Sequence, residues 1–260
     1  MDLGISGRWA IVCASSSGLG LACAEALAAE GVNVVLNGRD GDRLAAAADR
    51  IRQTGASGTV IQVQADLLSP AATDALLAAC PEPDIVVTNN AGPRPARLRD
   101  VTAQDWQRGI EGNLLNHLRL IDRVTDDMCE RKFGRIVNIT SAMVTAPKPI
   151  MAVSSAVRTG LTSVVKALSM ELAPYNVTIN NVLPERVDTG RMKQISELEA
   201  ERQGISYEEA RAFVASDIAA RRFGRPEEVG AACAFLCGSL SGYISGQNLH
   251  VDGGTHPSLF

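Results

Sequence analysis

Short apolar runs alternate with longer alanine-rich or amphipathic stretches from one end of the chain to the other. Trp9 to Cys13 is an unbroken apolar run of strand length, and a Ser/Gly-rich turn leads from it into a helical stretch from about Leu19 to Glu30. The form then repeats. Val32 to Leu36, Val60 to Val63, Ile85 to Thr88, Ile136 to Ile139 and Val177 to Leu183 are strand-like and separated by helical segments, and a last strand, Asn248 to Val251, ends at Gly253-Gly254. Strands alternating with helices imply parallel pairing through right-handed crossovers, hence an α/β doubly wound parallel sheet of about seven strands with helices on both faces.

One segment breaks the rhythm. Between Thr189 and Pro226 the chain is charged and helical, with no strand until residue 248. Extra structure after a strand's carboxyl end sits beside the ligand crevice of an open α/β sheet, so a helical insertion at about 190–222 is expected to act as a substrate lid. The plain alternative is a solvated helix pair that touches no ligand. No Pro/Gly linker, internal repeat or low-complexity tract divides the chain, and its 260 residues are read as one domain, 1–260.

Composition narrows the function classes. A chain that is 46% hydrophobic but only 4% aromatic packs an Ala/Val/Leu interior and offers little for stacking nucleic-acid bases, and a net charge of -4 disfavours a polyanion partner. No segment approaches the roughly 18 uninterrupted apolar residues of a membrane span, and the N-terminus lacks a basic leader, so a cytoplasmic protein without membrane or nucleic-acid partners is expected. The six cysteines show no CxxC pair or zinc spacing, which reads as reduced thiols and no metal site. His117, His250 and His256 are scattered along the sequence.

The first turn, Cys13-Ala14-Ser15-Ser16-Ser17-Gly18-Leu19-Gly20, joins strand to helix. Glycines there let backbone approach a pyrophosphate, and the helix N-terminus supplies free N–H groups and a favourable dipole. With three further blocks, this turn makes the chain resemble a classical short-chain dehydrogenase/reductase over essentially its whole length. Gly18 and Gly20 match the family's TGxxxGxG, with Cys13 and Ala14 replacing Thr and the first Gly. Asn89-Asn90-Ala91-Gly92 matches NNAG, Asp66-Leu67 resembles the pair that contacts adenine, and RFGRPEEVGAACAFLCGSLSGYISGQNLHVDGG is very close to the C-terminal signature. The resemblance implies a Rossmann fold and a nicotinamide dinucleotide held by Ser15, Ser17, Gly18, Leu19, Gly20, Asp66, Leu67, Asn90, Ala91 and Gly92. It adds Pro184, Val187 and Thr189 after the sixth strand.

Cofactor choice turns on the end of the second strand, where NAD users place an acidic residue against the ribose 2′-hydroxyl. This chain has Asn37-Gly38-Arg39 instead. With no carboxylate to repel a 2′-phosphate and Arg39 able to pair with one, NADP(H) is expected in preference to NAD(H). Alternatively, Arg39 merely opens a solvated helix.

In the resembled family Asn, Ser, Tyr and Lys act together: Tyr is the general acid/base, Lys lowers its pKa and binds ribose, Ser orients the carbonyl and Asn completes a proton relay. Asn113 and Ser141 match two of the four. Counted back from Gly160-Leu161-Thr162, the Tyr-x-x-x-Lys motif falls with Met151 at the Tyr position and Ser155 at the Lys position, and the separation from Ser141 is then about three residues short of the family's spacing. None of Tyr175, Tyr207 and Tyr243 is followed four residues later by Lys. Methionine donates no proton, and loss of a general acid typically costs about 10² to 10⁴ in rate. Candidate substitutes are Arg158, whose guanidinium could cover the vacant Lys position, and Glu185, which replaces the family's Gly after Pro184 and would need a raised pKa to act as an acid. Lys148 is a further candidate donor.

Arg94, Lys148, Arg186, Arg191 and Lys193 all fall in loops at the expected carboxyl edge of the sheet, where positive potential would focus an anionic substrate. Three functions are therefore open: an NADP(H)-dependent oxidoreductase acting on a carbonyl or hydroxyl group of an anionic small molecule through an atypical site, a catalytically inactive nucleotide-binding scaffold, or a lyase, isomerase or hydrolase that reuses the pocket. The resemblance also implies self-association as a homodimer or homotetramer.

Overall fold

The computed structural model describes residues 2–258, and its strands follow the apolar runs. They are β1 (Trp9–Val12), β2 (Asn33–Gly38), β3 (Val60–Gln64), β4 (Ile85–Thr88), β5 (Gly134–Ile139), β6 (Val177–Pro184) and β7 (Asn248–Val251). The sheet has the order β3-β2-β1-β4-β5-β6-β7, and every pairing is parallel. Between the strands run α1 (Gly18–Ala29), α2 (Gly41–Gln53), α3 (Ala71–Ala79), α4 (Ala103–Ile110), α5 (Asn116–Glu130), α6 (Ala152–Leu172), α7 (Gly190–Gln203), α8 (Tyr207–Ser216) and α9 (Pro226–Cys237).

Alternation along each strand divides the apolar residues between two layers. Ala10 and Val12 join Leu27 of α1, Leu44 of α2 and Val229 of α9 on one face, whereas Ile11 and Cys13 join Leu76 of α3, Leu120 of α5 and Leu161 of α6 on the other. Small residues let α1 and α9 approach: a Cβ on Gly230 would lie 2.4 Å from the Ala22 carbonyl oxygen. The buried thiols of Cys23, Cys233 and Cys237 lie at this junction, and all six cysteines are unbridged. Among the described residues no helix is long and apolar enough to cross a membrane.

Not all of the sheet interior is apolar. Thr88, Asn138, Asn181 and Asn248 are register partners on β4, β5, β6 and β7. The Thr88 hydroxyl donates to Asn138 Oδ1 at 2.6 Å, Asn138 Nδ2 to Asn181 Oδ1 at 3.1 Å, and Asn181 Nδ2 to Asn248 Oδ1 at 2.9 Å. A one-residue slip of any strand would break this transverse ladder and strand buried amides without partners, so the ladder fixes register just beneath the loops that leave these strands.

The strand order reverses at β1, and the crevice outside the carboxyl ends of β1 and β4 is the usual ligand site of such sheets. Helices α7 and α8 follow β6 and pack on one another, with Gly204 at φ 66° ending α7. Arg211 of α8 grips Asp188 with both arms, at 3.0 and 2.8 Å, and stacks 4.5 Å from the Phe223 ring.

Asn138→Ala leaves the Thr88 hydroxyl and the Asn181 carbonyl buried without this partner, and should lower unfolding free energy by about 3 kcal/mol. Chemical denaturation with an unchanged m-value would record it.

Candidate active site

The turn after β1 is a backbone cradle. Ala14 adopts φ 46° and Gly18 φ 60°, both in the left-handed region where glycine is favoured. A Cβ on Gly20 would come within 2.3 Å of the Ala14 carbonyl oxygen, so glycine is obligatory there, while one on Gly18 would meet only Thr189, at 3.8 Å. The first turn of α1 carries no acidic residue, and its N-terminal N–H groups open toward the crevice uncompensated by any carboxylate of that turn. Ser15, expected at a cofactor, is instead wholly buried: its hydroxyl donates to the Val12 carbonyl at 2.7 Å and accepts from the Asn37 N–H at 2.9 Å. Asn37 in turn accepts from Ala14 N at 3.1 Å, so these two polar residues clamp the turn to β2.

At the end of β2, Ser16, Arg39, Asp40, Asp42, Arg43 and Gln64 line an open cleft. Arg43, which sequence reasoning passed over, donates to the Ser17 hydroxyl at 3.0 Å, and Asp40 caps α2 by accepting from Arg43 N at 3.1 Å. Beside it, Asp66 accepts from Leu68 N at 3.0 Å, and Leu67 is buried in the layer of α3, α5 and α6.

After β4, Asn89 Nδ2 donates to the Ala14 carbonyl at 3.3 Å and Asn90 Nδ2 to the Gly112 carbonyl at 2.8 Å, which ties this loop to both neighbours. Asn113 lies in a π-helical turn, Glu111–Leu115, inserted between α4 and α5. Such turns are costly and concentrate at functional sites. This one is buried with Asn113 Nδ2 donating to the Ala91 carbonyl at 3.4 Å and Oδ1 lacking a partner among the described residues. Ser141 ends the β5 edge, where its oxygen accepts from Met143 N at 3.2 Å and its proton is left to donate.

On α6 the structure brings together a different pair from the one the sequence register named. Met151 is its half-buried N-cap, bridged to Ala96, and the Ser155 hydroxyl is buried with no partner among the described residues. The pair that meets is Ser154 and Arg158, one turn apart and both buried, with Arg158 Nη1 donating to Ser154 Oγ at 2.5 Å. A Cβ on Gly92 would lie 3.4 Å from either terminal nitrogen of Arg158, so this guanidinium faces the Asn-Asn-Ala-Gly loop. Moving the motif three residues forward, from Met151/Ser155 to Ser154/Arg158, also removes the three-residue spacing deficit from Ser141. Burial, and secondarily the Arg191 charge, bring the Arg158 pKa down to about 10.

Glu185 is not a free acid. Its side chain, 11% exposed, takes Lys148 Nζ at 2.5 Å and lies 3.9 Å from Arg186 Nε, which binds the loop after β5 to the loop after β6 and occupies both candidate groups. Pro184 ends β6, Val187 is buried and bridged to Gly224, and Thr189 caps α7 opposite Gly18. Most of the expected positive edge is neutralised: Arg94 pairs with Asp105 at 2.7 Å, Arg186 with Asp217 at 3.4 Å and Lys193 with Glu197 at 3.9 Å. Arg191 alone of the five finds only carbonyl oxygens, those of Gly92 at 3.2 Å and Pro93 at 3.0 Å.

A glycine turn at the switch point of a doubly wound parallel sheet defines a Rossmann-type nucleotide-binding protein. The family model described as enoyl-(acyl carrier protein) reductase matches residues 13–256. The chain is 31% identical to the uncharacterised oxidoreductase YvaG of Bacillus subtilis, with all of both chains covered. It is 30% identical to the 3-oxoacyl-acyl-carrier-protein reductase FabG of Aquifex aeolicus, over 98% of this chain and 99% of that one. Among solved structures it is similar to L-sorbose reductase from Gluconobacter frateurii complexed with NADPH and L-sorbose, with a TM-score of 0.94, 28% identity and all of both chains covered. The chain belongs to the short-chain dehydrogenase/reductase family of oxidoreductases.

One further group lies under the site. His117, one turn beyond Asn113, is buried, and desolvation followed by the Arg158 charge pulls its pKa down to about 4. The unfolded chain then binds a proton that the folded one refuses between about pH 4 and 6.5, so stability is present above that window and is lost as pH falls through it, by about 3 kcal/mol for this residue. His117→Leu should flatten the dependence of unfolding free energy on pH between 4 and 6.5; an unchanged slope would assign it to other groups.

Proposed function

We propose that the protein is an NADP(H)-dependent oxidoreductase acting on a carbonyl or hydroxyl group of an anionic small molecule, with Ser154 and Arg158 in the roles the family gives to Tyr and Lys. The observation that carries this reading is the buried Ser154–Arg158 hydrogen bond facing Gly92. The bound dinucleotide would supply the hydride. Its pyrophosphate would be held at the N-terminus of α1 by Gly18, Leu19 and Gly20, beside Ser17, where no acidic side chain competes, and Asn90, Ala91, Gly92, Pro184, Val187 and Thr189 would hold the nicotinamide half. Asp66 and Leu67 would border the adenine. The cleft at Arg39, with Ser16 and Arg43 beside it, would take a 2′-phosphate through charge-assisted hydrogen bonds from its two guanidiniums, against the opposing charges of Asp40, already engaged as a helix cap, and Asp42.

The chain's own groups divide the remaining work. Ser141 and Ser154 hydroxyls hold a substrate oxygen, and Ser154 gives its proton as negative charge develops there. Arg158 donates to Ser154 Oγ throughout and stabilises that oxygen when its proton leaves. Asn113 keeps the π turn against the loop that carries Ala91. Glu185, being ion-paired to Lys148, positions two loops and does not serve as the substitute acid.

The same reading takes residues 1–260 as one domain in the cytoplasm, and α7 and α8, within 190–222, as a lid. Support for the lid is the reach of Arg191 from the first turn of α7 to the loop after β4. Self-association as a homodimer or homotetramer is supported by the exposed Phe235, Leu240, Tyr243 and Leu249 around α9 and β7.

Two measurements test the proposal. In calorimetric titrations Arg39→Ala should weaken NADPH about 10- to 100-fold and leave NADH within about twofold, as removal of a charge-assisted phosphate contact requires; equal effects on both would sink the preference. With any carbonyl substrate found by NADPH oxidation, Ser154→Ala should lower kcat by about 10² to 10⁴ while Ser155→Ala changes it little. The reverse pattern would restore the Met151/Ser155 register.

A further inference from the structure

Arg158 is 8% exposed, and its one hydrogen-bond partner among the described residues is the neutral Ser154 hydroxyl. Arg191 approaches the same spot from α7. A Cβ on Gly92 would lie 3.3 Å from Arg191 Nη1 and 3.4 Å from Arg158 Nη1 and Nη2, so two guanidiniums converge on the small space above one glycine. No carboxylate pairs with either among the described residues, although the neighbouring cations Arg94, Lys148, Arg186 and Lys193 all have one. Burial first, and then the Arg191 charge, makes the charge on Arg158 harder to keep. Two like charges, one of them buried, are unfavourable together until an anion joins them.

The geometry points to a carboxylate-binding subsite formed by Arg158 and Arg191 over Gly92, so that the substrate is an oxo or hydroxy carboxylic acid held by its carboxylate beside the Ser154 hydroxyl. The planar fork of Arg158 matches a carboxylate in bidentate fashion, and its remaining N–H donors are not spent on protein oxygens. Arg191 leaves the Gly92 and Pro93 carbonyls, or shares its donors with them, as the anion arrives; its place on the first turn of α7 then couples substrate charge to the position of that helix. A tetrahedral phosphate is the competing anion, and the dinucleotide's own phosphates are the competing source. This inference rests on the oxidoreductase reading for the role of the carboxylate but not for its binding.

The test is calorimetric titration of the whole protein, free and saturated with NADPH, using acetoacetate, its methyl ester and inorganic phosphate as probes. Acetoacetate should bind and the ester should bind at least about tenfold more weakly, with phosphate weaker than acetoacetate. Arg191→Met should weaken acetoacetate by about 10- to 100-fold and leave NADPH affinity within about twofold, and Arg158→Lys should retain more acetoacetate affinity than Arg158→Met. Equal binding of acid and ester, tighter binding of phosphate, or a loss in Arg191→Met confined to NADPH would each overturn the carboxylate subsite. Acetoacetate binding that persists in a protein unable to bind NADPH would uphold the subsite while removing the oxidoreductase reading. Circular dichroism and the unfolding midpoint of each variant separate loss of the site from loss of the fold.

Discussion

A guanidinium buried to nine-tenths and satisfied by one hydroxyl is an expensive arrangement, and much of the site is organised around it. The charge on Arg158 survives at neutral pH even though burial brings its pKa down to about 10. It persists because α6 is anchored along its length: Leu161 and Val165 are fixed in the core layer shared with α3 and α5, so the second turn of the helix cannot swing its cation out to water. Desolvation, with the same charge adding to it, keeps His117 neutral beneath the site, next to the π turn that holds Asn113.

The sheet makes that cation useful. Parallel strands in the order β3-β2-β1-β4-β5-β6-β7 deliver the glycine turn, the Asn-Asn-Ala-Gly loop, Ser141 and the Glu185 loop to one edge. The Thr88-Asn138-Asn181-Asn248 ladder holds the four strands beneath the last three of these in register. Side chains that belong to different loops can then be placed to within a hydrogen bond of one another without those loops carrying packing energy of their own.

Much of this was legible in the sequence, for a physical reason. Strands buried on both faces tend to be continuous apolar runs, so Trp9 to Cys13 or Ile85 to Val87 announce themselves, and turns that need left-handed backbone announce themselves by Gly18. The pair proposed as acid and base was harder. Three residues along a helix rotate a side chain by only about 60° from its starting face, so Met151, Ser154, Ser155 and Arg158 share one broad stripe and periodicity cannot choose between registers. The spacing from Ser141 could have chosen, since its three-residue deficit vanishes at Ser154. Charge was misjudged for a different reason: Lys148 and Glu185 are far apart in sequence, and only the fold shows that they cancel. Ser15 and the Asn ladder were likewise invisible because their polar groups are spent on strands remote in the chain.

The most direct test of the Ser154–Arg158 assignment is a crystal structure of the protein with NADPH and a bound oxo acid. The prediction is a substrate carboxylate over Gly92 between Arg158 and Arg191, with the substrate oxygen within hydrogen-bond reach, about 3 Å, of both the Ser141 and Ser154 hydroxyls and the nicotinamide beside that oxygen. A substrate oxygen on Lys148 or Glu185, with Ser154 out of reach, would contradict it.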